Sequence, residues 1–389
     1  MSKISVLGVG DLILGIPEIA GYFEAAKDVL KSGDVTICHV ETPHTTRGQV
    51  CNTEPRLVPA APPENLDALA DCGFNVASFG GNHTFDQGYF GVMDTLDYLR
   101  QLGLKTCGAG ENIAEARKPA LIEKNGLKVA VLEYNCIGPN LSWATPMKAG
   151  AAFIRVSTIY ESELCEPASM PTYCWTAVDP WSLQNMSEDI TGCKNRGNIV
   201  IVSLHIGRMY DKHLLPYEFE ITNKAIDAGA EMILCHHAHE PRGIRIYKGK
   251  PVFHGLGNFV TLTTMMNFDT DSTVKEQSLY KPYTYQGVFP TAWKRDNDSK
   301  EHETGIPNYV FSHESRNTLI AKAVFDEYGL VSAGFIPCRI DDNGAPTPVR
   351  KEGKGEDVLN CFKELNRIEE LDDDIFSWSE DGGEVMLKL

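Results

Sequence analysis

The sequence predicts a layered α/β domain, and three observations carry that prediction. Runs such as "LKVAVLEYN" (127–135) and "NIVIVSLHIG" (198–207) are almost continuously apolar, as expected of strands covered on both faces. Between such runs lie segments with apolar residues at helical spacing, each closed by a glycine. Strand and helix alternate along most of the chain.

The elements follow in order. "KISVLGVGD" reads as a buried first strand ending in a turn, and "DVTICHVET" as a second that ends at Glu41. In "PPENLDALADCGFNVASFGGNH", Pro62 and Pro63 start a helix. Leu66, Leu69 and Ala70 give it one apolar face, Gly73 stops it, and a strand follows. "MDTLDYLRQLGLKTCGAG" repeats the scheme with Gly103 as the stop. "FEITNKAIDAGAEMILCHHAHE" is a further helix, a stop at Gly229 and a strand. "GIRIYKGKPVFHGLGNFV" reads as a hairpin turning at Lys248-Gly249, and "LIAKAVFDEYGLVSAGFIP" as another turning near Tyr328-Gly329. Residues 137–197 and 261–317 break the rhythm. They are rich in Ser, Thr, Asn and Pro with scattered aromatics, the composition of lids or binding loops. The sequence therefore predicts one domain over 1–340 with those two insertions. An acidic segment over 341–389 follows, with one amphipathic helix, "EDVLNCFKELNRIEEL", and a soluble tail. There is no internal repeat.

Composition narrows the function classes. The 389 residues include 53 acidic and 36 basic side chains, a formal charge of -17. Bulk attraction to nucleic acid or anionic lipid is not expected, and a polyanionic substrate would need a local basic patch. The 11 cysteines are odd in number, widely spread and without a CxxC pair. They read as reduced thiols of a cytoplasmic protein. "ISVLGVGDLILG" is interrupted by Asp11 and lacks a small-residue cleavage site, so it does not read as a secretory signal. No apolar run approaches the roughly 18 residues of a membrane span. Nothing in the sequence specifies an oligomeric state.

Polar residues of metal-ligating type recur where the strands end. Asp11 follows the first, Glu41 the second, and Asn82 and His83 the third, while His205 follows "IVIVSL" and His237 and His239 follow "EMIL". Strand ends on one edge of a parallel sheet lie close in space, and ligand sites form there. Taken singly, Asp11 also reads as a helix N-cap, Glu41 as a solvated loop charge, Asn82 as a turn residue, and His205 as a satisfied core histidine like His254. In an extended strand His237 and His239 point to one face and His236 to the other. The joint pattern carries the weight, because unrelated roles would not all fall at strand ends. Such an oxygen and nitrogen set suits Mn, Zn, Fe or Co.

The order "GD", "VE", "GNH", "SLHIG", "HHAH" and "LGNF" resembles the CapA family, linked to poly-γ-glutamate capsule synthesis, within the calcineurin-like metallophosphoesterase superfamily. "GAGENIAEARKP" (108–119) and "FIPCRI" (335–340) add to the likeness, which covers roughly residues 3–260 and 318–340. The resemblance implies a four-layered α/β sandwich with long inserted loops. It implies one or two divalent cations held by Asp11, Glu41, Asn82, His205, His237 and His239, with Glu41 as the bridging carboxylate. His83 would be an acid or a donor to a developing oxyanion, Asp86 its orienting partner, and Asp11 a candidate base. Asn258 in "GLGNF" reads as a turn residue.

Two departures separate this chain from the wider superfamily. Its usual Asp-x-His opening is Asp11-Leu12-Ile13 here, which leaves room for oxygen ligation of Ca or Mg. Its usual bridging Asp is Glu41, as in CapA-like chains. The N-terminal membrane anchor common in capsule CapA proteins is also not seen in this sequence. The resulting expectation is a cytoplasmic, metal-dependent enzyme acting on a peptide or γ-glutamyl amide, by hydrolysis or by epimerisation. Arg208 and Arg242, with Trp175 and Trp181, are the candidates to hold a peptide and its carboxylate. A phosphate-ester hydrolase and a non-catalytic capsule-assembly or polymer-binding protein are the alternatives.

Overall fold

Two β-sheets stacked face to face form the middle of the fold, in a computed structural model that describes residues 2–51, 60–162, 172–209, 211–263 and 304–389. The first sheet is ten-stranded. Its centre is β1 (Ile4–Gly15), flanked in parallel by β2 (Val35–Val40), β3 (Val76–Ser78) and β4 (Lys105–Cys107). The second sheet runs through β5 (Ala120–Lys124), β6 (Leu127–Asn135), β7 (Ile199–His205), β8 (Met232–His236), β9 (Ile244–Tyr247) and β10 (Lys250–Phe253), with β6, β7, β8 and β10 parallel. The chain then returns to the first sheet. Strand β11 (Asn258–Thr263) pairs in parallel with the second half of β1. The hairpin β12 (Asn317–Asp326) and β13 (Gly329–Ile340) pairs antiparallel with the first half.

Period-two alternation sorts the side chains into layers. Val35 and Ile37 of β2, Val129 and Val131 of β6, Ile199 and Ile201 of β7, and Met232 and Leu234 of β8 fill the space between the sheets. The alternate residues face outward. Cys38, Val40 and Ala77 pack under helices α1 (Lys27–Lys31), α2 (Asp67–Asp71) and α3 (Gly88–Gln101). Leu132, Val200, Val202 and Ile233 pack under α4 (Pro180–Asn195) and α5 (Pro216–Ala228). The architecture is thus mixed α/β, with a helical layer outside each sheet. Each fully buried aliphatic side chain contributes about 1.5–3 kcal/mol, which suits the long apolar runs of the sequence.

Several local expectations meet their physical reasons here. Gly103 follows the C-cap of α3 at φ 88° and Gly229 caps α5 at φ 116°, the left-handed geometry a helix stop uses. Tyr247 pairs with Lys250, so Lys248 and Gly249 form the two-residue turn, both at positive φ. The 137–197 stretch, expected as lid or loop, contains helix α4. That helix opens with Pro180, and the Asp179 carboxylate caps it by accepting from Ser182 N at 2.8 Å. Most of the other insertion, residues 264–303, lies outside the described residues. Over 341–389, α6 (Glu356–Ile368) sends Val358, Leu359, Phe362 and Leu365 into the core between the sheets. Strands β14 (Phe376–Trp378) and β15 (Val385–Leu387) extend the first sheet beyond β13.

Candidate metal centre

The space between the sheets changes character along the strands. The same inward phase that places Val35 and Ile37 carries on to His39 and Glu41. Val129 and Val131 lead to Glu133, Ile199 and Ile201 to Ser203 and His205, and Leu234 to His236. An apolar core therefore gives way to a buried polar cluster at the C-terminal edge of both sheets.

Asp11 enters this cluster through a kink. The pairing of β1 with β2 slips between Gly8 and Asp11. A Cβ on Gly10 would lie 2.0 Å from the carbonyl oxygen of Gly257, so only glycine lets β11 approach. Asp11 N then donates to Gly257 O at 3.0 Å, and Asp11 and Asn258 become register partners.

The fully buried Asp11 carboxylate makes three close contacts. Oδ1 lies 3.1 Å from His236 Nδ1, Oδ2 accepts from the backbone N–H of His237 at 3.1 Å, and His239 Nδ1 is 3.5 Å from Oδ2. His239 Nε2 lies 3.2 Å from Glu41 Oε1, while its Nδ1 is 2.9 Å from the Asn258 amide oxygen. A second convergence lies alongside. His205 Nε2 is 2.8 Å from Asn82 Oδ1 and 3.1 Å from His237 Nδ1. The six residues that the resemblance nominated as ligands thus form two contact groups, Asp11, Glu41 and His239 and Asn82, His205 and His237, joined by the hydrogen bond from His237 N to Asp11. His83 stands at the edge, 20% exposed, with Nδ1 2.6 Å from Asp86 Oδ2.

The backbone of the "HHAH" segment departs from the extended strand expected. Strand β8 ends at His236, whose ring faces Asp11, and His237 and His239 take φ of 92° and 56°. Left-handed geometry costs about 1–3 kcal/mol per non-glycine residue. The hydrogen bond from His237 N to Asp11 helps hold the turn.

Charge in the cluster is unevenly distributed. Burial opposes the charged form of Asp11, but the hydrogen bond and charge of His236, with His239 and His39, hold its carboxyl well below the usual range. Burial also works against the His239 cation, yet Glu41 and Asp11 lift it to about 9. His237 is pushed down to about 3 by burial and by the neighbouring His239, and His205 falls well below its ordinary value by burial and the surrounding imidazoles. Burial lowers His83, but Asp86 and Glu41 more than offset it and raise it overall.

Two residues not singled out by the sequence pattern, His39 and Glu133, join the site, and so does His236, which was expected on the face opposite His237 and His239. His39 Nδ1 is 2.7 Å from Glu133 Oε1, and its Nε2 is 3.0 Å from His205 Nδ1. His236 stacks on His39 with ring centroids 4.5 Å apart. The signal was present in the strand phase: each stands two residues beyond an inward apolar position. Asn258, read as a turn residue, orients His239 instead.

The two candidate arginines lie differently. Arg208 is 60% exposed and paired with Asp211. Arg242 is fully buried, donating from Nη1 to His213 O at 2.9 Å and Glu218 Oε1 at 3.4 Å, and from Nη2 to Arg208 O. Trp175 and Trp181 are 57% and 67% exposed.

The donor set suits divalent cations. Asp11, Glu41 and His239 form one group able to hold an ion, and Asp11, His39 and His205 another. Neither oxygen of the buried Glu41 carboxylate accepts a hydrogen bond of normal geometry. A buried carboxylate so placed is costly without a positive partner, and His239 is the nearest one in the protein itself. Asn82 Oδ1, His205 Nε2 and His237 Nδ1 bring three lone-pair atoms together, as a cation requires.

Comparison with known proteins places this geometry in a lineage. The family model described as "Bacterial capsule synthesis protein PGA_cap" matches residues 8–263. The chain belongs to this family. A probable polyglutamine synthesis accessory protein of Mycobacterium tuberculosis is 29% identical over 231 residues, 58% of this chain and 55% of the relative. The PGA biosynthesis protein CapA of Bacillus subtilis is 26% identical over 266 residues, 66% of this chain and 63% of the relative. The capsule biosynthesis protein CapA of Bacillus anthracis is 25% identical over 268 residues, 66% and 60% respectively. The chain thus spans less than two thirds of each of these relatives. The PGA_cap match includes every residue of the cluster, from Asp11 to Asn258, and ends before β12. Among the described residues, no helix is long and apolar enough to cross a membrane, and nine cysteines are free.

Proposed function

We propose that the protein is a metal-dependent enzyme of the CapA kind acting at a peptide or γ-glutamyl amide. The observation that carries the reading is the buried Glu41 carboxylate, without hydrogen bonds of normal geometry, beside Asp11 and His239 at a strand edge. The names of the relatives, which speak of polyglutamine and PGA synthesis, support the choice of a glutamyl amide as substrate class.

Asp11, Glu41 and His239 would hold one cation, and Asn82, His205 and His237 a second, and by the resemblance Glu41 would be the carboxylate they share. Mn, Zn, Fe or Co suits the mixed set best. When bound, such cations supply Lewis acidity to an amide carbonyl and stabilise charge that develops on its oxygen. The chain's own groups do the rest. His83, at the partly exposed rim where Asp86 favours its protonated form, would give a proton to a departing amine. Arg208 is positioned on the exposed loop after β7, where its guanidinium can meet a substrate carboxylate.

The test is turnover of γ-glutamyl amides and short peptides by purified protein before chelation, after chelation and after Mn²⁺ or Zn²⁺ is restored. Amide turnover lost on chelation and regained with metal is the expected result. Cleavage of an aryl phosphate alone would replace this reading with phosphate-ester hydrolysis, and metal-independent inertness towards both would replace it with a binding role.

A further inference from the structure

Glu133 is a charged residue in the middle of the second sheet, and its side chain is fully buried. Its carboxylate is surrounded by donors. Oε1 receives Ser203 Oγ at 3.0 Å and faces His39 Nδ1 at 2.7 Å, while Oε2 accepts the backbone N–H of Gly80. Gly80 opens the turn that carries Asn82. A Cβ there would lie 2.9 Å from Glu133 Oε2, so glycine is what lets the carboxylate grip the backbone.

The chain of contacts continues inward. His39 Nδ1 must carry a proton to satisfy Glu133. Its Nε2 is 3.0 Å from His205 Nδ1. His205 Nε2 then meets Asn82 Oδ1 and His237 Nδ1. Both nitrogens of one imidazole cannot serve the same ion. The Nε2 side gathers two further lone-pair atoms, so it is the side a cation would occupy. With a cation there, His205 Nδ1 would hold the proton and His39 Nε2 would accept it.

We infer that Glu133 and His39 are positioning residues, which fix the tautomer and ring angle of His205 through a carboxylate–imidazole–imidazole line and hold the Asn82 turn against it. This rests on the reading that His205 takes a cation through Nε2. Outer partners of this kind orient a ligating histidine, and their loss typically costs about 10–100-fold in metal affinity. Glu133 reaches two of the three ligands at once, through His39 to His205 and through Gly80 to Asn82.

The experiment is Co²⁺ titration of the apoprotein, read by its absorption spectrum and by calorimetry, for wild type, His205→Ala, His39→Leu, His39→Gln and Glu133→Gln. A glutamine at 39 can place its amide oxygen where Nε2 stood and accept the same proton, whereas leucine cannot. His205→Ala should weaken Co²⁺ binding by at least about 100-fold, and His39→Leu by about 10–100-fold with an altered spectrum. His39→Gln should return to within a few-fold of wild type. Glu133→Gln should lie between, and it decides the matter if His39→Leu does not fold. Wild-type affinity in both His39→Leu and Glu133→Gln, with His205→Ala impaired, overturns the positioning role while leaving the cation reading intact. Equal damage by His39→Gln and His39→Leu overturns it too, since that is the behaviour of a direct ligand. Unchanged binding in His205→Ala removes the cation reading itself.

Discussion

Nε2 of His205 lies 3.1 Å from Nδ1 of His237, two nitrogens on different strands' ends facing each other in a buried space. Both rings are held neutral, by burial first and by neighbouring imidazoles second. Asn82 Oδ1 adds a third acceptor at 2.8 Å from His205. With the protons on the far ring nitrogens, these three acceptors would find a common partner in a cation. Saturating Mn²⁺ at about 100 times its dissociation constant should therefore stabilise the protein by about 2.7 kcal/mol. Thermal unfolding with and without Mn²⁺ measures this, and His237→Ala should abolish most of the gain.

Cation binding should also be opposed by protons. His239 is raised to about 9 by Glu41 and Asp11 against the effect of burial. It must lose its Nε2 proton to become a ligand. Apparent affinity should then rise with pH between 6 and 8, by up to about tenfold per unit for each proton displaced, and level off above 9. Calorimetry in buffers of different ionisation enthalpy should report at least about one proton released per loading at pH 7. His237, pushed down to about 3, adds no competition in that range.

His83 and Asp86 should separate catalysis from binding. His83→Ala should lower kcat by about 10²–10⁴-fold with metal content unchanged. Asp86 is what lifts His83 against burial. Asp86→Asn should therefore shift the alkaline limb of the pH–rate profile to lower pH, because the acid is lost sooner. A profile that does not move would remove His83 from that role.

The two arginines should part company. Arg242 is fully buried with Glu218. Arg242→Met should destabilise the fold by about 3–5 kcal/mol, the usual cost of stranding a buried charge partner. Arg208→Ala should leave the melting temperature unchanged and raise KM. Denaturant unfolding beside steady-state kinetics distinguishes them.

His44 offers a test of stability away from the cluster. It is fully buried, its Nδ1 donates to Pro62 O at 2.8 Å, and burial pushes it down to about 4. The folded value lies below the unfolded 6.5. Its penalty is thus absent above pH 6.5 and grows as pH falls towards 4, reaching about 2 kcal/mol near pH 5. His44→Asn keeps a donor at the Nδ1 position. Urea unfolding at pH 7 and pH 5 should show a smaller acid loss in the variant, by about that amount.

Much of this was legible in the sequence, for a physical reason. Period-two strands end where the chain turns polar, so Asp11, Glu41, Asn82, His205, His237 and His239 announced one rim. His39 and Glu133 were equally in phase with Val35 and Val129, but they sit inside apolar runs and were absorbed into them, while His236, in phase with Leu234, was expected on the face away from His237 and His239. The left-handed turn at His237 and His239 is held in part by a hydrogen bond to Asp11, more than 200 residues earlier in the chain, and no local pattern encodes that partner. The burial of Arg242 depends on Glu218, another element away. Strands β14 and β15 are too short to show a period, and their acidic surroundings read as tail.

Elemental analysis of the purified protein beside Asp11→Ala and His237→Ala bears most directly on the central claim, because each variant removes a donor from a different group. Wild type should carry up to two divalent ions, and each variant measurably fewer while remaining folded. Equal metal content in all three folded proteins would contradict the account.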